Sequence, residues 1–225
     1  MAVALIVAAG RGERLGSSRP KALVSLAGQP MLHWSVQALA RVPAVDQIVV
    51  ALPGDRLDAA PSGTLAVAGG GVRSESVVAA LRASRPAGDP VIVHDAARPL
   101  ATPELFEAAL AELAATGADA VITAAPVTDT IKQAVPGTLR VERTLERHRL
   151  WAVQTPQVFR RQALEDHVAQ AAPERLAEAT DDAWLVEQAG GAVVILPAPA
   201  DNLKITTPHD LQVAESLLVR RRDGA

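Results

Sequence analysis

Apolar residues fall along this chain in short runs separated by stretches of helical spacing. The runs at 3–8, 47–52, 64–68, 91–94, 118–124 and 192–196 are short, and several are rich in Val and Ile, which predicts strands. Between them, 30–41, 74–85, 103–115, 160–171 and 181–189 repeat apolar positions at three- and four-residue intervals, and several open on Ser, Thr, Asp or Pro, which predicts helices. Alternating strands and helices predict an α/β fold with a mostly parallel sheet covered on both faces, three layers in all. Ligands of such sheets sit beyond the carboxyl ends of the strands, so the residues that follow each run are the candidates for chemistry.

The stretch 126–151 breaks this rhythm. It holds PVTDTIKQAV, a turn at Pro136-Gly137, and then LRVERTLERHRLW, which alternates as a hairpin does. We read it as an arm leaving the domain; a surface hairpin without a role fits the same pattern. With 225 residues, 49% of them hydrophobic, the chain buries one sizeable core, so 1–225 is expected to be a single domain carrying 126–151 as its arm. No internal repeat is found, and the terminal RRRDGA reads as a frayed helix end.

Composition narrows the partners. Tyr and Cys are absent and aromatics make up 2%, so the core must be aliphatic and no disulfide can form, which fits a cytoplasmic protein. A net charge of −3, spread evenly, points to a small-molecule partner and to neither nucleic acid nor a membrane. The opening MAVALIVAA has no basic leader and runs straight into a glycine-rich loop, so it is expected to be a buried strand rather than a signal peptide or span.

Three clusters follow predicted strands. Ala8-Ala9-Gly10-Arg11-Gly12-Glu13-Arg14-Leu15-Gly16, with Lys21 shortly after, reads as a phosphate loop: glycines let backbone N–H groups approach phosphate oxygens, and Arg14 and Lys21 bring positive charge. The spacing is neither the dinucleotide G-x-G-x-x-G nor a P-loop, since no Gly-Lys-Ser/Thr follows. Gly69-Gly70-Gly71-Val72-Arg73-Ser74-Glu75-Ser76 opens a helix; its glycines allow a flat ligand close to backbone, and Ser74 also suits an N-cap. In His94-Asp95-Ala96-Ala97-Arg98-Pro99, Asp95 suits a divalent cation between phosphates and Arg98 an acceptor phosphate, while a helix cap and a surface arginine are equally consistent with composition.

The strings AAGRGERLGSSRPKAL, GGGVRSES, HDAARP, PVTDTIK, AVQTPQVF, TDDAWLVE and DNLKIT, in that order, resemble the 2-C-methyl-D-erythritol 4-phosphate cytidylyltransferases of the non-mevalonate isoprenoid pathway, across nearly the whole chain. The first string alone marks any sugar-nucleotide pyrophosphorylase; HDAARP with DNLKIT is more specific. The resemblance implies a Rossmann-like nucleotidyltransferase sheet and the joining of CTP to the polyol phosphate with release of pyrophosphate. It implies that Arg14 and Lys21 stabilise the transition state at the α-phosphate and that Arg147 and Lys204 orient the acceptor phosphate. It places Asp95, Arg98, Thr130 and Thr155 on the acceptor side and Ala8, Ala9, Gly10, Gly70 and Ser76 on the nucleotide. It further implies a homodimer whose arm carries Thr130 and Arg147 into the partner's site; the chemistry of the acid at Asp95 adds Mg²⁺ or another divalent cation, with Asp95 as ligand.

One departure stands out: many members carry an acid where this chain has Gly71, so base and ribose readout here leans on backbone groups. The acceptor phosphate is already a dianion near neutral pH and needs no general base, which suits a set rich in Arg and Lys. Of five histidines only His94 lies in a motif, and it is expected to be a packed or hydrogen-bonded residue. A cytidylyltransferase for ribitol 5-phosphate shares much of the motif set. A nucleotide-sugar glycosyltransferase would need a spaced Asp-x-Asp, whereas Asp181-Asp182 is adjacent; a non-catalytic nucleotide-binding module would have no use for both Arg14 and Lys21.

Overall fold

The structure of the chain, a computed structural model, describes residues 1–10, 12, 15 and 19–223. In chain order its elements are β1 (Ala2–Val7), β2 (Ser25–Leu26), β3 (Gln29–Pro30), α1 (Met31–Leu39), β4 (Val45–Leu52), β5 (Leu65–Ala68), α2 (Arg73–Ala83), β6 (Val91–Asp95), α3 (Pro103–Thr116), β7 (Ala120–Pro126), β8 (Lys132–Ala134), β9 (Val141–Thr144), β10 (Trp151–Phe159), α4 (Arg161–Leu164), α5 (Pro173–Glu178), α6 (Asp182–Gln188), β11 (Val193–Pro197) and α7 (Pro208–Asp223). The helix expected at 160–171 is α4 followed by a π-helical turn, Glu165–Ala169.

Seven strands form one sheet in the order β11-β7-β10-β6-β1-β4-β5. Pairing is parallel for β1 with β4 and β6, for β4 with β5 and for β7 with β11, as the alternation predicts. The exception is β10, which lies antiparallel between β6 and β7 and was not among the expected strands. Its polar centre and Pro156 hide it: the ladder to β7 breaks between Val153 and Gln157, and a proline in that break forfeits no ladder bond.

The sheet separates two cores, each mostly aliphatic with one buried phenylalanine, Phe106 in one and Phe159 in the other. Ala4 and Ile6 of β1 face α1 and α3, packing with Leu32, Leu39, Phe106 and Leu113. Val3 and Leu5 face the other way, toward Val77 and Leu81 of α2 and Leu185 and Val186 of α6. Strands buried on both faces have no polar side to show, which is why β1 reads as an unbroken apolar run. Leu5 and Ile6 are wholly buried; burying a side chain of this size stabilises by about 1.5–3 kcal/mol. A third cluster joins Leu26, Met31, Leu100 and Ile205 to Ala214 and Leu218 of α7, of which the sequence reading anticipated only the end.

Helix ends correct one expectation. Ser74 is not the N-cap of α2 but lies buried inside its first turn; Val72 occupies the cap, and the Glu75 carboxylate accepts from the N–H groups of Gly71 (2.7 Å) and Val72 (3.2 Å) instead. Helix α6 is capped conventionally, Asp181 Oδ1 accepting from Trp184 N–H at 2.8 Å.

The stretch 126–151 does form a hairpin. β8 and β9 pair antiparallel as a two-stranded sheet of their own, with Gly137 at φ 73° between them. Leu139 on it is fully exposed, and Val141 is 55% exposed. Among the described residues no helix is long and apolar enough to cross a membrane.

Candidate active site

Where β1 ends, Ala8, Ala9 and Gly10 turn out of the sheet; Gly70 to Arg73, with Ser76, lead from β5 into α2; Asp95, Ala96 and Ala97 close β6; Lys204 and Thr206 arrive from the segment after β11. With Gly12 and Lys21 these residues wall a cleft of about 700 Å³ at the carboxyl ends of the parallel strands.

Glycine shapes two walls of the cleft. Gly12 has φ 73°, and a Cβ there would sit 2.6 Å from Lys21 Cβ, so only glycine lets the loop pass this close to the lysine. A Cβ on Gly70 would fall 2.3 Å from Glu75 Cβ, whereas one on Gly71 would meet only Glu75 Oε2 at 3.5 Å. Gly70 N–H donates to Ser76 Oγ at 3.1 Å, which fixes the loop against the start of α2.

Asp95 is the electrostatic centre. Lys204 Nζ donates to its Oδ2 at 2.7 Å and Arg73 Nε to its Oδ1 at 2.9 Å. Burial alone would raise the Asp95 pKa, but Arg73 and Lys204 outweigh it and hold the carboxyl well below the usual range. Arg73 reaches further: its terminal nitrogen donates at 2.5 Å to Asp182 Oδ2, a carboxylate with no exposure. Burial opposes the charge on Arg73, and Asp182 and Asp95 more than offset it, so the guanidinium is held above its ordinary value.

Behind Asp95 a neutral chain of hydrogen bonds sets its backbone. Asp95 N–H donates to Thr155 Oγ1 at 3.0 Å, and that hydroxyl lies 3.1 Å from His94 Nδ1. His94 Nε2 is 3.2 Å from the Arg98 carbonyl, which can only accept; the proton therefore sits on Nε2, and Nδ1 accepts from Thr155. His94 is fully buried with its ring edge-on to Phe106 at 5.0 Å, and burial pushes its pKa down to about 4. It is the packed, hydrogen-bonded residue the sequence suggested.

The sequence-based site residues are not all treated alike. Ala8, Ala9, Gly10, Lys21, Gly70, Ser76, Asp95 and Lys204 come together on the cleft wall. Thr155 and Arg98 lie behind it: Arg98 is buried and donates to the carbonyls of Asn202 (2.7 Å) and Val153 (3.2 Å), tying the segment after β11 to β10. Thr130 and Arg147 are exposed on the arm and do not line the cleft of their own chain; Arg147 donates to Thr128 O at 2.8 Å. Arg14 falls outside the described residues.

Sequence reasoning missed Arg73 and Asp182. Both stand in the strings GGGVRSES and TDDAWLVE, but glycines dominate the first and the second offers no spaced Asp-x-Asp. Their partnership spans 109 positions, a distance no local pattern reveals.

As to a divalent cation, no group of three or more His, Asp or Glu side chains that could hold one exists among the described residues. Asp95 nevertheless fits as a single ligand, because each carboxylate oxygen has a second lone pair beyond its ion pair, and Mg²⁺ commonly takes one or two carboxylates plus substrate phosphates.

A family model described as 2-C-methyl-D-erythritol 4-phosphate cytidylyltransferase matches residues 2–220. Proteins of that name from Frankia casuarinae and Gloeobacter violaceus are 47% identical over 221 residues and 43% identical over 226, covering 96% and 95% of this chain and 81% and 94% of their own. Among solved structures, the 4-diphosphocytidyl-2C-methyl-D-erythritol synthase of Anaerococcus prevotii superposes with a TM-score of 0.81 at 28% identity, over 97% of this chain and 98% of that one. The 2-C-methyl-D-erythritol 4-phosphate cytidylyltransferase of Thermus thermophilus gives 0.78 at 33% identity, over 96% and 98%.

Proposed function

The chain belongs to the 2-C-methyl-D-erythritol 4-phosphate cytidylyltransferase family, and from that premise we propose how its own residues divide the work of the reaction. The enzyme joins CTP to 2-C-methyl-D-erythritol 4-phosphate, giving 4-diphosphocytidyl-2-C-methyl-D-erythritol and pyrophosphate in non-mevalonate isoprenoid biosynthesis. A phosphate oxygen of the acceptor forms a bond to the α-phosphorus of CTP as the bond to pyrophosphate breaks. No proton need leave the attacking dianion, so catalysis rests on placement and on absorbing charge.

The observation that carries our assignment is that Lys21 and Lys204 stand on the wall of one cleft with Asp95. CTP takes the wall of Ala8, Ala9, Gly10, Gly70 and Ser76, its phosphates against the glycine loop, where Lys21 and Arg14 meet the charge growing on the α-phosphate. The acceptor takes the Asp95 side: Lys204 orients its phosphate, and Thr155 and Arg98 support this wall from behind. When bound, Mg²⁺ or another divalent cation neutralises part of the triphosphate charge, with Asp95 as the protein's ligand. Residues 1–225 act as one nucleotidyltransferase domain. The arm, 126–151, pairs two copies in a homodimer and hands Thr130 and Arg147 to the partner's acceptor side, a reading supported by the exposure of Leu139 and Val141. We place the enzyme in the cytoplasm, where CTP is made.

A pyrophosphate-release screen of four nucleoside triphosphates against a panel of polyol phosphates tests the reading. Release is expected with CTP and 2-C-methyl-D-erythritol 4-phosphate together. Faster turnover of ribitol 5-phosphate would reassign the acceptor.

A further inference from the structure

Four charged groups of alternating sign run from the core to the cleft: Asp182, Arg73, Asp95 and Lys204. They differ in freedom. Asp182 opens α6 and has no exposed surface, Arg73 opens α2 with 24% of its side chain exposed, and Lys204 is 40% exposed on the segment after β11. A lysine so exposed is the member of the set that can exchange Asp95 for a phosphate. Of its two protein cations Asp95 then keeps Arg73, and Arg73 is aimed by the carboxylate on its far side.

Stability alone does not explain Asp182. Its Oδ1 is buried without a hydrogen-bond partner among the described residues, and its pKa is raised by burial against the pull of Arg73. A buried carboxylate with an unpartnered oxygen costs stability that a well-packed apolar residue would not. What it supplies is direction: a planar guanidinium gripped at one terminal nitrogen has its Nε edge fixed, and that edge is the one on Asp95.

We propose that Asp182 is a positioning residue for the cytidylyl transfer, acting through Arg73 to hold the Asp95 carboxylate in place while Lys204 exchanges from Asp95 to the acceptor phosphate. The inference rests on the assignment of Asp95 and Lys204 to the acceptor side. Asp182 has no exposed surface; loss of its charge should disturb the acceptor wall more than the nucleotide wall.

The test is steady-state pyrophosphate release by the full chain, with melting temperatures measured alongside. Asp182→Asn, which keeps the shape, is expected to lower kcat or raise the acceptor KM by about tenfold or more with the CTP KM within about threefold of wild type. In an Arg73→Lys background, where the fork reaching two carboxylates is already lost, the same change should cost less than about twofold, because its effect passes through Arg73. Wild-type acceptor kinetics for Asp182→Asn, or penalties that simply multiply in the double variant, overturn the proposal. If Asp182→Asn does not fold, Arg73→Lys alone decides: a loss of about tenfold confined to acceptor kinetics supports the inference, and unchanged acceptor kinetics overturns it. Lys204→Ala and Asp95→Asn run in parallel; unchanged turnover in both would instead defeat the site assignment on which this inference stands.

Discussion

Lys204 Nζ lies 2.7 Å from Asp95 Oδ2, so the cation assigned to the acceptor phosphate is held in place by a carboxylate 109 positions away in the chain. Lys204→Met removes both the phosphate contact and one of the two cations that keep Asp95 ionised. It is expected to lower kcat/KM for the polyol phosphate by about a hundredfold while changing the CTP KM little. A variant that loses CTP affinity instead would move Lys204 to the nucleotide side.

Lys21 is expected to act on turnover more than on binding. Loss of a preorganised charge at a developing oxyanion costs about 3–4 kcal/mol, so Lys21→Ala should lower kcat by roughly 10²–10³. Arg14→Ala should behave alike. Gly12→Ala should share part of this loss, because its new methyl group meets Lys21 Cβ at 2.6 Å on a backbone with φ 73°. Gly71→Ala, with 3.5 Å of room, should not. Equal kinetics for the two alanine variants would show that Gly12 does not set the lysine.

His94 ties stability to pH. Its folded pKa, about 4, lies below the ordinary 6.5, so the unfolded chain takes up the proton first as pH falls. The stabilisation from the neutral ring is full above 6.5 and is lost between 6.5 and about 4, amounting to roughly 3 kcal/mol. Urea unfolding at several pH values should show wild type weakening across this window and His94→Gln, which cannot titrate, weakening less. Parallel curves would mean that the ring is protonated without cost.

Removal of divalent cations should abolish turnover, and Mg²⁺ should restore it, since Asp95 is already paired with two protein cations and the triphosphate needs charge from elsewhere. Asp95→Asn should raise the Mg²⁺ concentration required for half-maximal rate. Full activity in rigorously metal-free buffer would remove the cation from the reaction.

For the arm, subunit mixing is decisive. Arg147→Ala and Lys21→Ala chains, each nearly inactive, should recover roughly a quarter of wild-type activity when combined in equal amounts, because half of randomly formed dimers are mixed and each holds one intact site. No recovery, with subunit exchange verified by mass, would mean that Arg147 serves its own chain.

Much of the fold was readable because its strands are apolar on both faces and its helices are not. The six expected strands and the arm appear within a few residues of their assigned positions, as β1, β4, β5, β6, β7, β11 and the β8–β9 hairpin. β10 was not, since Gln154, Thr155, Pro156 and Gln157 make it resemble a loop; those residues are buried and find distant partners, Gln154 Oε1 accepting from Asn202 and Gln157 Nε2 donating to Asp181, while Gln157 Oε1 has no partner among the described residues. The same limit applies to the site. Glycine loops and cations at strand ends announce themselves locally, whereas Arg73 and Asp182 acquire meaning only from one another, on two helices that pack against the same face of the sheet.

The two-faced burial of β1 bears on more than stability. Ala4 and Ile6 on one side and Val3 and Leu5 on the other are all greasy, so a slip of one residue along β4 and β6 would expose no polar side chain and meet little hydrophobic resistance. It would, however, carry Ala8, Ala9 and Gly10 about 3.3 Å along the strand axis, beyond hydrogen-bonding reach of whatever they held before. The main-chain ladders to β4 and β6 keep the strand from sliding, and they are closed at its ends by Ala2 N–H on the Ala44 carbonyl at 2.7 Å, Val3 N–H on the Pro90 carbonyl at 3.0 Å and Ala8 N–H on the Ala51 carbonyl at 2.9 Å. The reach of the glycine loop into the cleft is thus metered by main-chain bonds along a rod whose side chains are otherwise featureless.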